Sequence, residues 1–180
     1  MARNLELKVR LADLPAARKV ASAVATSRIG LMRQMDTYFR VREGRLKLRE
    51  IEPLDPPGEL SRVLIAYFRP GEAGVRTSEY ELVPVSEESP LLAILAANCG
   101  TEVVVRKRRE VFLHHNVRIH LDEVDALGDY LEFEAVISPD CNEALSRRRL
   151  EFLIEAFGLD EANGIAGSYC DLLAAQLAKL

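Results

Sequence analysis

Carboxylates, an imidazole and a guanidinium crowd into one short stretch, Arg118 to Glu134, with the sequence RIHLDEVDALGDYLEFE. In its first half Arg118, His120 and Asp122 alternate with Val117, Ile119 and Leu121; in its second, Glu132 and Glu134 alternate with Leu131, Phe133 and Ala135. Successive side chains of a strand point to opposite faces, so each half puts charge on one face and apolar groups on the other. The Asp125–Gly128 region reads as a tight connection, and a hairpin there brings Asp122, Glu132 and Glu134 onto one face. Three carboxylates so placed repel unless a cation sits among them. All-oxygen donors point to a hard divalent metal, Mg²⁺ or Mn²⁺.

The same one-sided pattern recurs, and its charges are sorted by strand. Residues 4–11 put Asn4, Glu6, Lys8 and Arg10 on one face; residues 46–49 pair Lys47 with Arg49; residues 103–109 align Lys107 and Arg109 with Val103 and Val105; residues 79–82 align Glu79 with Glu81. A solvated sheet face tends to mix its signs, because like charges directly opposite one another cost roughly 0.2–1 kcal/mol. A half-exposed charged face accounts for any one of these strands. The sorting of all of them points to a ligand that is itself split, with phosphates for the basic strands and a metal for the acidic ones.

Eight strand-like segments position these residues, near 3–11, 31–41, 45–51, 61–69, 76–85, 102–112, 116–124 and 129–137. Eight strands suffice to close a barrel with room inside for side chains and one small ligand. Asp13 caps a helix expected to run to about Ser27, Pro90 opens LLAILAANC with Gly100 as its stop, and Ser138-Pro139 starts a helix to about Phe157. A last helix begins at Ser168, whose spacing to Asp171 resembles a capping box. Loops 52–60 and 70–74 are rich in Pro and Gly and read as connections inside one domain spanning residues 1–180.

A net charge of −4 argues against a nucleic-acid protein that relies on overall basicity, so the basic residues act locally. No apolar run approaches the roughly 18 residues needed to span a bilayer, and MARNLELKVR lacks an apolar signal core, so a cytoplasmic location is expected. Cys99, Cys141 and Cys170 are an odd number without C-x-x-C spacing, which suggests neither disulfides nor zinc. Cys141 and Cys170 are expected in the first turns of helices, where a thiol pKa can fall, but small boundary or core residues are the better reading.

NLELK at 4–8, DTYF at 36–39, GRLKLRE at 44–50, SEY at 78–80, KRR at 107–109 and the 118–134 block occur in the order found in the CYTH superfamily, which this chain resembles. That superfamily contains class IV adenylyl cyclases and thiamine triphosphatases. The resemblance spans residues 4 to about 137, with SYCDLL at 168–173 as a further echo, and the long block looks most like the cyclase branch.

The resemblance implies an α+β fold built on an eight-stranded antiparallel closed barrel, a triphosphate tunnel with flanking helices. It implies phosphate contacts from Lys8, Lys47, Arg49, Arg69, Lys107, Arg109 and Arg118, and metal contacts from Glu6, Asp122, Glu132 and Glu134, with Glu79 or Glu81 adding another. Lys8, Glu6 and Asp122 are the catalytic residues it implies. Asn4 departs from the pattern: it occupies the first acidic position of the E-x-E-x-K signature, so a second metal would be held more weakly.

No Ser-His-Asp or Cys-His arrangement and no Walker-type loop is present, so catalysis would rest on positioning and charge neutralisation. If a ribose 3′-hydroxyl attacks the α-phosphorus of ATP, the products are cyclic AMP and pyrophosphate. If water attacks the terminal phosphorus of inorganic, thiamine or nucleoside triphosphate, the protein is a triphosphatase; binding without catalysis is a third outcome. His120 is tempting as a general base, but a histidine bonded within the barrel wall is the plainer reading. His114 and His115 read as turn residues and Tyr38 and Phe39 as packing residues rather than a purine platform. Arg106–Arg109 splits between two faces, and Arg147–Arg149 reads as a solvated helix face with ion pairs to Glu143 and Glu151, so nucleic acid is disfavoured as a partner. A homodimer is compatible with the sequence.

Overall fold

A computed structural model describes residues 2–68 and 75–178, which leaves Arg69 outside the described residues. Among the described residues eight strands are joined by two α-helices, one between the first and second strands and one between the fifth and sixth, and two more α-helices follow the last strand. The strands are β1 (Ala2–Arg10), β2 (Ser27–Phe39), β3 (Arg45–Asp55), β4 (Ser61–Phe68), β5 (Arg76–Val85), β6 (Thr101–His114), β7 (Val117–Val124) and β8 (Gly128–Ile137). The helices are α1 (Leu14–Val24), α2 (Leu91–Cys99), α3 (Glu143–Ala156) and α4 (Tyr169–Leu177). The strands close a barrel in the order β1-β5-β4-β3-β2-β6-β7-β8, every neighbour antiparallel, with β8 returning to β1. No helix among the described residues is long and apolar enough to cross a membrane.

Alternation along the strands gives the barrel two different faces. Leu5, Leu7 and Val9 of β1, Ile119 and Leu121 of β7, and Leu131 and Phe133 of β8 point outward, where Leu14, Ala17 and Ala21 of α1 and Leu150 and Leu153 of α3 cover them. Each such Leu or Phe contributes about 1.5–3 kcal/mol when fully buried. This outer core holds the barrel together, so the inner face is free to carry polar and charged groups whose desolvation is costly.

Strand and helix ends depart from the sequence reading for local reasons. β2 begins at Ser27 instead of 31 because a bulge at Gly30 keeps it paired to β6, where Arg28 opposes Phe112. Gly30 has φ 142°, and a Cβ there would lie 2.1 Å from the Asp55 carbonyl oxygen, so this approach requires glycine. α1 stops at Val24 because Thr26 has already joined the sheet, its backbone N–H donating to the Leu113 carbonyl at 2.7 Å.

α3 begins at Glu143, not at Ser138. Asn142 is its cap, accepting from the Leu145 N–H at 3.0 Å, while Ser138 and Cys141 exchange backbone hydrogen bonds in the preceding turn. Cys141 therefore precedes the helix. Arg149 turns away from the expected ion pairs, donating to Asn116 Oδ1 at 2.7 Å and to Cys141 Sγ at 2.9 Å, and Glu143 meets Arg3 at 3.3 Å. α4 opens on the expected capping box: Ser168 accepts from the Asp171 N–H, and Asp171 accepts from the Ser168 N–H. Cys170 is in its first turn, but burial pushes its thiol up to about 12, so it packs as a small apolar residue.

Candidate functional site: the charge-sorted barrel interior

Strand register decides which side chains share the interior. Lys8 opposes Glu132 and Glu6 opposes Glu134 across β1 and β8; His120 opposes Glu132 and Arg118 opposes Glu134 across β7 and β8. On the other wall Asp36 opposes Arg49, Tyr38 opposes Lys47, and Gln34 opposes Lys107. The hairpin at Asp125–Gly128 forms as expected, with the Leu127 N–H donating to the Val124 carbonyl at 3.1 Å. Its two strands carry the 118–134 block onto one inner surface.

One side of the interior is a cluster of cations gathered on a single carboxylate. Asp36 is 1% exposed in its side chain and accepts from Arg49 Nε at 2.7 Å, Arg49 Nη2 at 3.0 Å, Lys47 Nζ at 3.1 Å, Gln34 Nε2 at 3.1 Å and Lys107 Nζ at 3.4 Å. Burial opposes its ionisation, yet Arg49, Lys47 and Lys107 hold the carboxyl well below the usual range. The lysines respond in the opposite sense. Burial, reinforced by Arg49, lowers Lys47 to about 7, and burial with Arg109 lowers Lys107 to about 8.

The other side is acidic, and protein cations already sit among its carboxylates. Arg109 grips Asp122 with two bonds of 2.6 and 2.5 Å and reaches Glu132 at 2.9 Å; Lys8 lies 3.3 Å from Glu132, and Arg118 donates to Glu134 at 2.9 Å. Against the pull of burial, Lys8 and Arg109 keep Glu132 well below the usual carboxylate range, and His120 and Arg118 lower Glu134. Asn4 spends both ends of its amide here, donating to Glu134 and accepting from the Tyr80 hydroxyl at 3.3 Å.

His120 lies between these carboxylates, 5% exposed. Nδ1 is 3.8 Å from Glu132 Oε2 and Nε2 is 3.9 Å from Glu134 Oε2, beyond hydrogen-bond reach, and Nδ1 has no partner among the described residues. Burial, with Arg109 facing it, holds the imidazole below the ordinary histidine value. The expectation of a histidine bonded into the wall is corrected: the ring is in the wall but its inner nitrogen is unbonded.

α4 contributes Tyr169 to the interior. The Tyr169 hydroxyl donates to Asp122 Oδ2 at 2.8 Å, and its ring lies 4.0 Å from Lys8 Nζ and 4.9 Å from Lys107 Nζ. The segment before α4 is tied to β1 by the Ile165 N–H, which donates to the Lys8 carbonyl at 2.7 Å.

Of the residues singled out in the sequence, Glu6, Lys8, Lys47, Arg49, Lys107, Arg109, Asp122, Glu132 and Glu134 share the interior, with Arg118 on the same face at an exposed end. Glu79 and Glu81 do not. Asn4 opposes Ser78 across β1 and β5, so Ser78 and Tyr80 take the inner face and both glutamates point outward, Glu79 lying 3.9 Å from Arg3. Asp122 has both of its oxygens engaged, by Arg109 and by the Tyr169 hydroxyl. Asp36 and Tyr169 were missed as site residues. A lone acid in MDTYF carries no charge pattern, and Tyr169 lies 47 residues beyond its partner Asp122.

Glu132 and Glu134 are the neighbouring acids of this inner surface, and Glu6 opposes Glu134. Among the described residues no three acidic, imidazole or thiol groups converge on one point, since Lys8, Arg109, Arg118 and Asn4 draw these oxygens apart.

The sequence profile of the CYTH domain family matches residues 2–169. A comparison with curated proteins finds no relative that matches. Solved structures share the fold. The PH1819 protein of Pyrococcus horikoshii OT3 superposes with a TM-score of 0.77 at 22% identity, covering 96% of this chain and 99% of that one. A candidate adenylate cyclase from Vibrio parahaemolyticus gives 0.72 at 24% identity, covering 95% and 97%. HpAC1 from Hippeastrum, a candidate adenylyl cyclase with a dominant triphosphatase activity, gives 0.62 at 14% identity, covering 98% and 96%. At these identities the likeness is one of fold.

Proposed function

Because this chain belongs to the CYTH domain family, we propose that it is a metal-dependent enzyme acting on a triphosphate, with class IV adenylyl cyclase chemistry, ATP to cyclic AMP and pyrophosphate, as the first reading. The observation that carries the proposal is the Asp36 cluster: two buried lysines and the half-buried Arg49 facing a carboxylate surface inside one closed barrel. Burying charges costs several kcal/mol each unless they are paired. A fold that gathers Lys47, Arg49 and Lys107 on one acid keeps cationic excess for an anionic guest.

In this reading Lys47, Arg49 and Lys107 exchange part of their hold on Asp36 for phosphate oxygens, and Arg49 offers a fork suited to two of them. Lys8, set between Glu132 and the Tyr169 ring, neutralises a phosphate nearer the acidic side. Asp122 acts as a positioning residue that fixes the Arg109 guanidinium, and Tyr169 locks Asp122 in turn. Mg²⁺ or Mn²⁺ held by Glu132 and Glu134 with Glu6 would supply charge neutralisation at the reacting phosphate.

Cyclisation forms a bond from the ribose 3′ oxygen to the α-phosphorus and releases pyrophosphate; hydrolysis forms a bond from water to the terminal phosphorus and releases orthophosphate. Two observations favour a triphosphatase as the second reading. Tyr38 and Phe39 are 2% and 1% exposed and packed, so neither offers a stacking face to a purine. The Hippeastrum protein of the same fold is described by a dominant triphosphatase activity.

The test is incubation of purified protein with ATP or inorganic triphosphate and Mg²⁺ or Mn²⁺, with the products resolved chromatographically. Cyclic AMP supports the first reading and orthophosphate the second. No product from any combination overturns both.

A further inference from the structure

We infer that the barrel interior is a blind pocket floored by Tyr38, Tyr67 and Tyr169, that a phosphate chain enters it from the Arg118 end, and that the site selects chains with a free terminal phosphate to lead; the inference rests on the triphosphate reading above. Among the described residues one mouth of the barrel is covered. There β2 and β7 end and β3 and β6 begin, and Val103, Val105 and Val124 of the wall pack in one apolar cluster with Tyr169, Leu172 and Leu173 of α4. Three ties hold this cover in place. The Tyr169 hydroxyl donates to Asp122, Arg45 at the start of β3 pairs with Asp171, and the Ile165 N–H donates to the Lys8 carbonyl.

Exposure gives the direction of entry. Side-chain exposure falls from 44% at Arg118 to 0% at Asp122 along β7, and from 20% at Arg49 to 9% at Lys47 along β3. Both gradients run toward α4, so a ligand reaches the interior from the Arg118 end.

The floor is built for negative charge. Lys8 Nζ stands 4.0 Å from the Tyr169 ring centre and Lys107 Nζ 4.9 Å, while Lys47 Nζ lies 5.1 and 5.5 Å from the rings of Tyr38 and Tyr67. A ring face attracts a cation without neutralising it. The carboxylates that do neutralise these lysines are shared: Glu132 serves Arg109 as well as Lys8, and Asp36 serves Arg49 as well as Lys47 and Lys107. Cations therefore outnumber acids at the blind end. A terminal phosphate carries about two negative charges near neutral pH, against about one for a bridging or esterified phosphate. The floor thus distinguishes the end of a phosphate chain from its middle.

Calorimetric titration of the full chain, with and without Mg²⁺, tests this with three probes. Inorganic triphosphate has two free ends, its ester methylated at one end has one, and its ester methylated at both ends has none; each methyl removes about one charge. The first methyl should weaken binding by less than about threefold, because one free end still leads, and the second by at least about tenfold. Two equal steps would overturn the inference and leave the triphosphate reading standing. No binding of inorganic triphosphate would overturn both. Tyr169→Phe, which keeps the ring, should preserve the unequal steps, and Tyr169→Ala, which opens the floor, should bring them within about threefold of each other. Steps as unequal in Tyr169→Ala as in the wild type would remove Tyr169 from the floor; the wild-type series decides even where a variant misfolds.

Discussion

The Asp36 side and the Glu132–Glu134 side of the interior solve the same problem in opposite ways. At Asp36 one acid takes donors from three cations and an amide, and the cluster carries more positive than negative charge. At Glu132 and Glu134 the acids are neighbours, the cations are shared among them, and one imidazole nitrogen is left unbonded. The first side is internally bonded yet can trade its acid for phosphate. The second already pairs its acids with Lys8, Arg109 and Arg118. In the proposed reading, a triphosphate carrying a divalent metal is the ligand whose two ends would meet the two sides.

The largest expected effect comes from removing the hub of the cationic side. Asp36→Asn leaves Lys47, Arg49 and Lys107 facing one another without a counter-charge, and should cost about 3–5 kcal/mol of stability, as breaking a buried pair does. Inorganic triphosphate should then raise the melting temperature of the variant more than that of the wild type. A variant as stable as the wild type in denaturant titration would dissolve the contrast between the two sides.

Arg49→Ala probes the same side from the ligand's direction. It removes a bidentate donor and should weaken triphosphate binding by about 1.5–3 kcal/mol in calorimetric titration, with the fold retained. Unchanged affinity would take Arg49 out of the site.

The lysines predict a pH signature whose sign separates binding from folding. With Lys47 at about 7 and Lys107 at about 8, the ligand-free interior has shed protons at pH 8, and a triphosphate that restores the charged forms must bring between one and two protons with it. Triphosphate affinity should therefore fall as pH rises through 7–8. Stability of the ligand-free protein should move the other way over the same window, because the unfolded lysines keep protons that the folded ones have lost. Binding enthalpies in buffers of different ionisation heat give the proton count, and buffer-independent heats would contradict it.

The smallest effect concerns the acidic side. Asn4→Asp removes the amide that donates to Glu134 and sets a carboxylate beside it, which should lower metal-free stability by about 1 kcal/mol. Mn²⁺ should restore the loss at a lower concentration than it stabilises the wild type. A flat response to Mn²⁺ would place Asn4 outside the cation site.

What was legible in the sequence was the alternation. In β1, β3, β7 and β8 charge falls mainly on alternate residues, and period two put Lys8, Lys47, Arg49, Glu132 and Glu134 on shared faces and split the unbroken charged run of β6 so that Lys107 and Arg109 share one. Period two does not say which face is inner. In β5 the acids Glu79 and Glu81 share a face as expected, but pairing of Asn4 with Ser78 turns that face outward. Asp36 was invisible because its importance lies in three cations arriving from β3 and β6, a tertiary fact. Tyr169 was missed for the same reason, since only closure of α4 against the barrel brings it to Asp122.

The central claim is that the two sides bind one ligand together. Crystals of the full chain grown with Mn²⁺ and inorganic triphosphate, measured at the manganese absorption edge, test it most directly. Triphosphate density is expected on Lys47, Arg49 and Lys107, with an anomalous peak against Glu132 and Glu134. Triphosphate outside the barrel, or manganese away from those two carboxylates, would contradict it.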